Sequence, residues 1–163
     1  MRIRSGKLLW GAIGSLSLFC VIAAATPGTG FLFNYSNRST LTTTAIHEGA
    51  HLPGWNVQLE LEGATDFVQQ DVALAPGGYS GWHSHPGPVL ITVKSGTAIW
   101  YNADNPTCMP IVYPTGSAFI EPAGVNHYVA NAGTTDLELL DTFLLPKGVP
   151  QRQDELQPPQ CPF

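Results

Sequence analysis

At 163 residues the chain is long enough for one domain with a sizeable core and too short for two comfortable ones. Charged residues make up only 12%, while 17 glycines and 14 prolines suit short strands joined by tight turns better than a helical bundle. The net charge is −5; without Arg2, Arg4 and Lys7 ahead of the first apolar run, four basic residues face twelve acidic ones, and this net −8 argues against nucleic acid as a partner.

The chain begins MRIRSGKLLWGAIGSLSLFCVIAAATPG. A basic start, an apolar stretch from Leu8 to Ile22 and the small residues Ala23-Ala24-Ala25 read as a secretory signal peptide over residues 1–25. An uncleaved membrane anchor is the competing reading, because Leu8 to Ala25 is just long enough to span a bilayer. Gly11, Gly14, Ser15 and Ser17 weaken it as a spanning helix. Either way the body lies outside the cytoplasm, secreted, periplasmic or otherwise extracytoplasmic, and touches membrane only through this segment if it is uncleaved. Cys20 belongs to that segment, which leaves Cys108 and Cys161 as one even pair. In an oxidising compartment they are expected to form a disulfide, closing a loop of about 50 residues worth about 4 kcal/mol on the chain-entropy account.

Residues 26–40, TPGTGFLFNYSNRST, read as a polar, turn-rich leader. From there the pattern is β throughout, and residues 41–146 are assigned to one all-β barrel. Leu41 to Ile46 is rich in β-branched residues. Asn56 to Glu62 alternates strictly, with Val57, Leu59 and Leu61 opposed to Gln58, Glu60 and Glu62. Phe67 to Leu74 repeats the habit up to Pro76-Gly77-Gly78. Val89 to Val93 and Thr97 to Tyr101 read as a hairpin turning on Lys94-Ser95-Gly96. Ser117 to Glu121, Asn126 to Asn131 and Leu137 to Leu144 complete the set, and residues 147–163 form a Pro-rich C-terminal tail. Short strands at close spacing imply a sandwich or barrel.

His83 and His85 stand two apart in GWHSHPGPVLITVKSG, so on a strand both imidazoles face the same way. Adjacent imidazoles pack poorly in an apolar interior and serve well as metal ligands, although the pair by itself is weak evidence. Gly77, His83-Ser84-His85, Val89 and Gly96, followed by Gly116, Pro122-Ala123-Gly124, His127 and Asn131, resemble the two spaced motifs of the cupin family. The resemblance runs from about Phe67 to Leu144 and implies an antiparallel jelly-roll barrel with one divalent metal. Its histidine positions fall on His83, His85 and His127, and its glutamate position is Val89. Asn131 reads as structural, and the Pro122-Ala123-Gly124 turn aims His127 inward.

Val89 leaves two outcomes open. Three neutral imidazoles could hold a divalent transition metal (Fe, Mn, Zn, Ni or Cu) with an uncompensated charge that favours an anionic substrate or hydroxide. Alternatively the site has become an apolar binding pocket. Glu121, the nearest carboxylate in sequence to His127, offers a replacement ligand. Trp82, Trp100 and Tyr128, with Tyr79 and Tyr101, are candidates for an aromatic pocket around a small organic ligand.

A second histidine pair, HEGAH from His47 to His51, matches the HExxH pattern of helical zinc proteases. Gly49 within it and Pro53-Gly54 after it leave no room for the helix which that chemistry needs, so both histidines are expected in a loop at the barrel rim. The leading expectation is therefore an exported single-domain barrel that binds a metal. Its partner would be a small molecule and its activity, if any, that of a dioxygenase or related oxidoreductase; homodimerisation is left open. The alternatives are a non-catalytic extracytoplasmic binding module and a structural surface domain.

Overall fold

The structure is a computed structural model that describes residues 25–161, so the expected signal or anchor segment lies outside the described residues except for Ala25. Among the described residues there are strands and turns and no helix. The strands are β1 Thr29–Thr40, β2 Ala45–Leu52, β3 Trp55–Glu62, β4 Thr65–Tyr79, β5 His83–Ser84 and β6 Val89–Ser95. They continue with β7 Thr97–Asn102, β8 Ile111–Pro114, β9 Ala118–Glu121, β10 His127–Ala130, β11 Leu137–Pro146 and β12 Gln153–Asp154.

All pairings are antiparallel, and they make a nearly closed barrel with two walls. One wall runs β1-β4-β11-β6-β9 and the other β12-β5-β10-β7-β8. The walls join where β4 bends at Pro76-Gly77-Gly78 and Tyr79 pairs with Ala130. The strand therefore does not end at that turn; it changes wall there, with Gly77 and Gly78 bonded to the backbone of Asn131.

The two-residue alternation fills the space between the walls. Every second residue of β11 from Leu137 to Leu145 points inward and is buried, as do Val89, Ile91 and Val93 of β6. They meet Val68, Val72 and Leu74 of β4 with Ala98, Trp100 and Val129 of the facing wall. Truncating one of these, such as Phe143 or Leu139, to alanine costs about 2–5 kcal/mol.

The expected hairpin about Lys94-Ser95-Gly96 does not form. β6 lies between β11 and β9, whereas β7 lies between β10 and β8, so the turn carries the chain from one wall to the other. Gly96 makes this crossing feasible: its φ is +76°, and a Cβ there would come within 2.6 Å of the Asp136 carbonyl. Residues 26–40 are likewise more than a leader. β1 pairs with β4 from Thr40–Asp66 to Thr29–Tyr79, covering what would otherwise be an open sheet edge. Asp66 anchors it by accepting from Arg38 Nη1 and Thr40 Oγ1, each at 2.7 Å.

Two further expectations change at the next stretch. Leu41 to Thr44 is irregular, and β2 starts only at Ala45. Moreover, β2 and β3 pair with each other and with no barrel strand, a separate hairpin closed at its neck by Gly63 N–H donating to the Thr44 carbonyl. Its apolar side, including Trp55, Val57 and Leu59, is exposed. The barrel thus comprises β1 and β4–β12, with residues 45–62 as an excursion from it.

Candidate metal centre

His83 sits on β5 directly opposite His127 on β10. His85 follows two residues on, and the three imidazoles pack with ring centroids 4.3–5.0 Å apart. All three are buried. β5 ends at Ser84, and past His85 the chain turns at Pro86-Gly87-Pro88 and enters β6 in the other wall, so His83 and Val89 do not share one strand. Val89 points inward nevertheless, because both walls face the same interior, and Leu90 points out. Opposite Val89 across the β6–β9 ladder stands Glu121. Cross-strand partners share a face, so the Glu121 carboxylate enters the barrel beside the position from which the family's glutamate would come.

Glu121 Oε2 lies 3.1 Å from His127 Nε2 and 3.3 Å from His85 Nε2. Two atoms each bonded to one metal at 2.0–2.1 Å, with an angle of 90–109° between them, are about 2.8–3.4 Å apart. The ligand atoms of His83, His85, Glu121 and His127 all lie within 4.8 Å of one another. These four buried residues could hold a metal ion.

The other ring nitrogens fix the tautomers. His83 Nδ1 is 2.8 Å from the Gly81 carbonyl, His127 Nδ1 is 2.8 Å from the Val125 carbonyl and His85 Nδ1 is 2.5 Å from the Gln151 carbonyl. A carbonyl only accepts, so each Nδ1 carries the proton and donates it. In the neutral ring each Nε2 is then a lone pair aimed at the cluster, as metal-binding histidines require. Burial, with His127 and Arg152 nearby, pushes His83 well below the usual histidine range and keeps it neutral. Burial alone would raise Glu121, but His127, His85 and His83 outweigh it and hold the carboxyl well below its ordinary range. A neutral His83 beside an ionised Glu121 carboxylate suits a divalent cation. His127 Nε2 is buried without a hydrogen-bond partner, and a cation held by the cluster would satisfy it.

A cavity of about 530 Å³ opens onto this cluster. Its wall includes His83, His85, Glu121, Ile91, Leu139, Phe143, Gln70, Asp141 and Arg152. The expected aromatic pocket is not part of it. Trp82 and Tyr128 pack with Tyr79, Tyr101 and the Cys108–Cys161 disulfide in a satellite core, and Trp100 belongs to the main core, stacked on His127 at 6.2 Å. The Tyr128 phenol, pushed up to about 12 by burial and its two tyrosine neighbours, is a packing group in that core. Alternation places both Trp82 and Tyr128 one residue out of phase with the histidines, hence on the opposite face.

Sequence reasoning missed what the tail does. β12 pairs with β5 beside His83, the Gln151 carbonyl orients His85, and Ser84 Oγ donates to Glu155 Oε1 at 2.7 Å. The disulfide, with Cα atoms 5.4 Å apart, pins the end of this segment. Its one readable signal was Cys161 at the far end. Asn131 holds the β4 bend: Nδ2 donates to the Leu74 and Thr135 carbonyls at 2.9 and 2.8 Å. The HEGAH residues lie on β2, an extended strand of the exposed hairpin and not a rim loop, where His47 pairs with Glu62 at 2.9 Å.

Residues 70–143 match the family model described as the cupin domain. Over 72 residues the chain is 36% identical to germin-like protein subfamily T member 3 of Arabidopsis thaliana; the match covers 43% of this chain and 32% of that protein. The chain therefore spans only about a third of that curated relative. Among solved structures, a double-stranded β-helix domain protein from Klebsiella pneumoniae aligns at 21% identity with a TM-score of 0.47, over 56% of this chain and 76% of its own. Oxalate decarboxylase from Lactobacillus farciminis, in complex with formate, aligns at 21% identity and a TM-score of 0.47, over 54% of this chain and 26% of its own.

Proposed function

We propose that the chain, whose residues 70–143 match the cupin-domain model, is an exported metalloprotein whose His83, His85, Glu121 and His127 hold one divalent transition metal for dioxygenase-type oxidation of a small organic molecule. One observation carries the reading: three Nδ1 donations to backbone carbonyls turn three Nε2 lone pairs toward the same buried carboxylate. When bound, the metal supplies Lewis acidity and, for a redox-active ion, electron transfer. Glu121 lowers the net charge of the centre by one. The disulfide supports an oxidising compartment.

Elemental analysis of protein isolated from its native compartment, with oxygen uptake on candidate substrates, tests both halves. Wild-type protein should carry about one metal per chain. Glu121→Gln keeps the shape and removes the charge, and should weaken affinity by more than the about 10–100-fold that losing an outer-shell partner costs. A metal-free wild type ends the metalloprotein reading. Full metal without oxygen uptake on any substrate leaves a binding module in place of the enzyme.

A further inference from the structure

Outside the four-residue cluster, the cavity wall carries a further buried polar group. The inward face of β11 reads Leu137, Leu139, Asp141, Phe143 and Leu145: four apolar residues and one acid. Asp141 is 8% exposed, and its Oδ1 is buried without a hydrogen-bond partner. Its cross-strand neighbour Gln70 is engaged elsewhere, donating to Asn34 Oδ1 and accepting from Gln151 Nε2. A buried carboxyl without a partner is costly, and nothing in the packing of β11 requires an acid at that point. Burial, with Glu121 and Asp71 nearby, also pushes the Asp141 carboxyl well above its ordinary range. In its protonated form, which burial favours, it faces the cavity as a hydrogen-bond donor.

The charges set the class of ligand. Three neutral imidazoles, one glutamate and a divalent cation sum to one positive charge, and the Arg152 guanidinium is offset by Asp154 at 2.7 Å. A monoanion completes neutrality. On the same cavity wall, Ile91, Leu139 and Phe143 offer apolar surface suited to a carbon skeleton. We propose that the cavity takes a small monocarboxylate whose anionic end lies at the metal and whose far end bears an oxygen acceptor that receives a hydrogen bond from Asp141. This rests on the metal-centre reading and adds to it a residue that selects the ligand.

Zinc-loaded protein, chosen because zinc is redox-inert, is titrated calorimetrically with levulinate and its one- and two-carbon-longer homologues, each bearing a ketone at the far end. Plain alkanoates of equal length are the controls. At the length that spans the cavity, the oxo acid should bind about tenfold more tightly than its alkanoate. Asp141→Asn, whose amide still donates, should keep most of that preference. Asp141→Leu should erase it while leaving zinc content and melting temperature at or above wild-type values. The same preference in wild type and Asp141→Leu, or no preference at any length, overturns the inference and leaves the metal centre standing. A wild-type protein that retains no zinc overturns the metal centre, and the inference with it.

Discussion

Two histidine pairs stand on strands of this molecule, and the differences between them show what a metal site needs beyond nearby ligands. On the hairpin, His47, Glu60 and Glu62 also bring three ligand atoms within 4.8 Å. The His47 side chain is 60% exposed, and its Nε2 is already paired with Glu62, an arrangement for which water competes. In the barrel, His83, His85 and His127 are buried and each ring is oriented by a backbone carbonyl, two of them from the residue two positions earlier and one from the tail. Burial strips the ligands of water, and the carbonyls fix which nitrogen faces the ion. Proximity is common to both clusters; preorganisation belongs to one.

The largest effect should therefore separate the pairs outright. His85→Ala or His127→Ala should abolish metal retention through gel filtration, whereas the double change His47→Ala, His51→Ala should leave stoichiometry unchanged by mass spectrometry. Equal losses from the two sets would place the ion on the hairpin and sink the barrel assignment.

A second change moves the barrel cluster toward the hairpin's condition by loosening its orienting shell. Cys108→Ser with Cys161→Ser removes a link across 53 positions, and the chain-entropy account assigns it about 4 kcal/mol in denaturant unfolding. The tail that carries Gln151 then keeps β12, the Glu155 N–H bond to the Trp82 carbonyl and side-chain contacts but loses its covalent pin, so metal should pass to a chelator faster than from the oxidised protein. Unchanged release at the lower stability would show that the Gln151 carbonyl stays in place without the disulfide.

How much of this the sequence discloses follows from the same distinction. Spacing places the three histidines, and alternation places Val89 inward, because both depend on residues a few positions apart. The pairing of β6 away from β7, the β1–β4 ladder and the Gln151–His85 bond join residues distant in sequence, and no local signal marks them. TPGTGFLFNYSNRST has the composition of a leader and forms an edge strand because β4 needs a partner there. Conversely, NVQLELE alternates more strictly than β11 does, yet its apolar side is largely exposed. Alternation reports a strand and does not say what covers it. Asp141 was readable in principle as the one acid among the inward residues of LELLDTFLLP, had the strand been followed two residues at a time.

The ion pairs sharpen the comparison further. Asp66 lies in the barrel with a side chain 3% exposed. The Gly148 N–H, Thr40 and Arg38 together hold its carboxyl at about 2, against an ordinary 3.8. A carboxyl lowered in the folded state contributes stability above its unfolded value, and the contribution is lost as pH falls through the folded one. Wild-type stability should thus decline between about pH 4 and pH 2 through this group, and Asp66→Asn should flatten that part of the curve while lowering stability at pH 7. A parallel decline in both proteins over that window would assign the acid sensitivity to other carboxyls.

The smallest effect is expected at the hairpin's own pair. Glu62 and His47 approach to 2.9 Å, with side chains 66% and 60% exposed. An exposed pair gains little Coulomb energy in water and loses side-chain entropy when it forms, so its coupling is within about 1 kcal/mol and is screened by salt. Glu62→Gln, His47→Ala and the double variant, compared by denaturant unfolding at low and high salt, should give a coupling within that limit that shrinks as salt rises. Metal content should not change in any of the three. The neck bond from Gly63 to Thr44 belongs to the backbone and survives all of these changes, so the hairpin itself should persist. A coupling that is larger and indifferent to salt would mean that this face is buried in solution, and the hairpin would then have a partner that covers it.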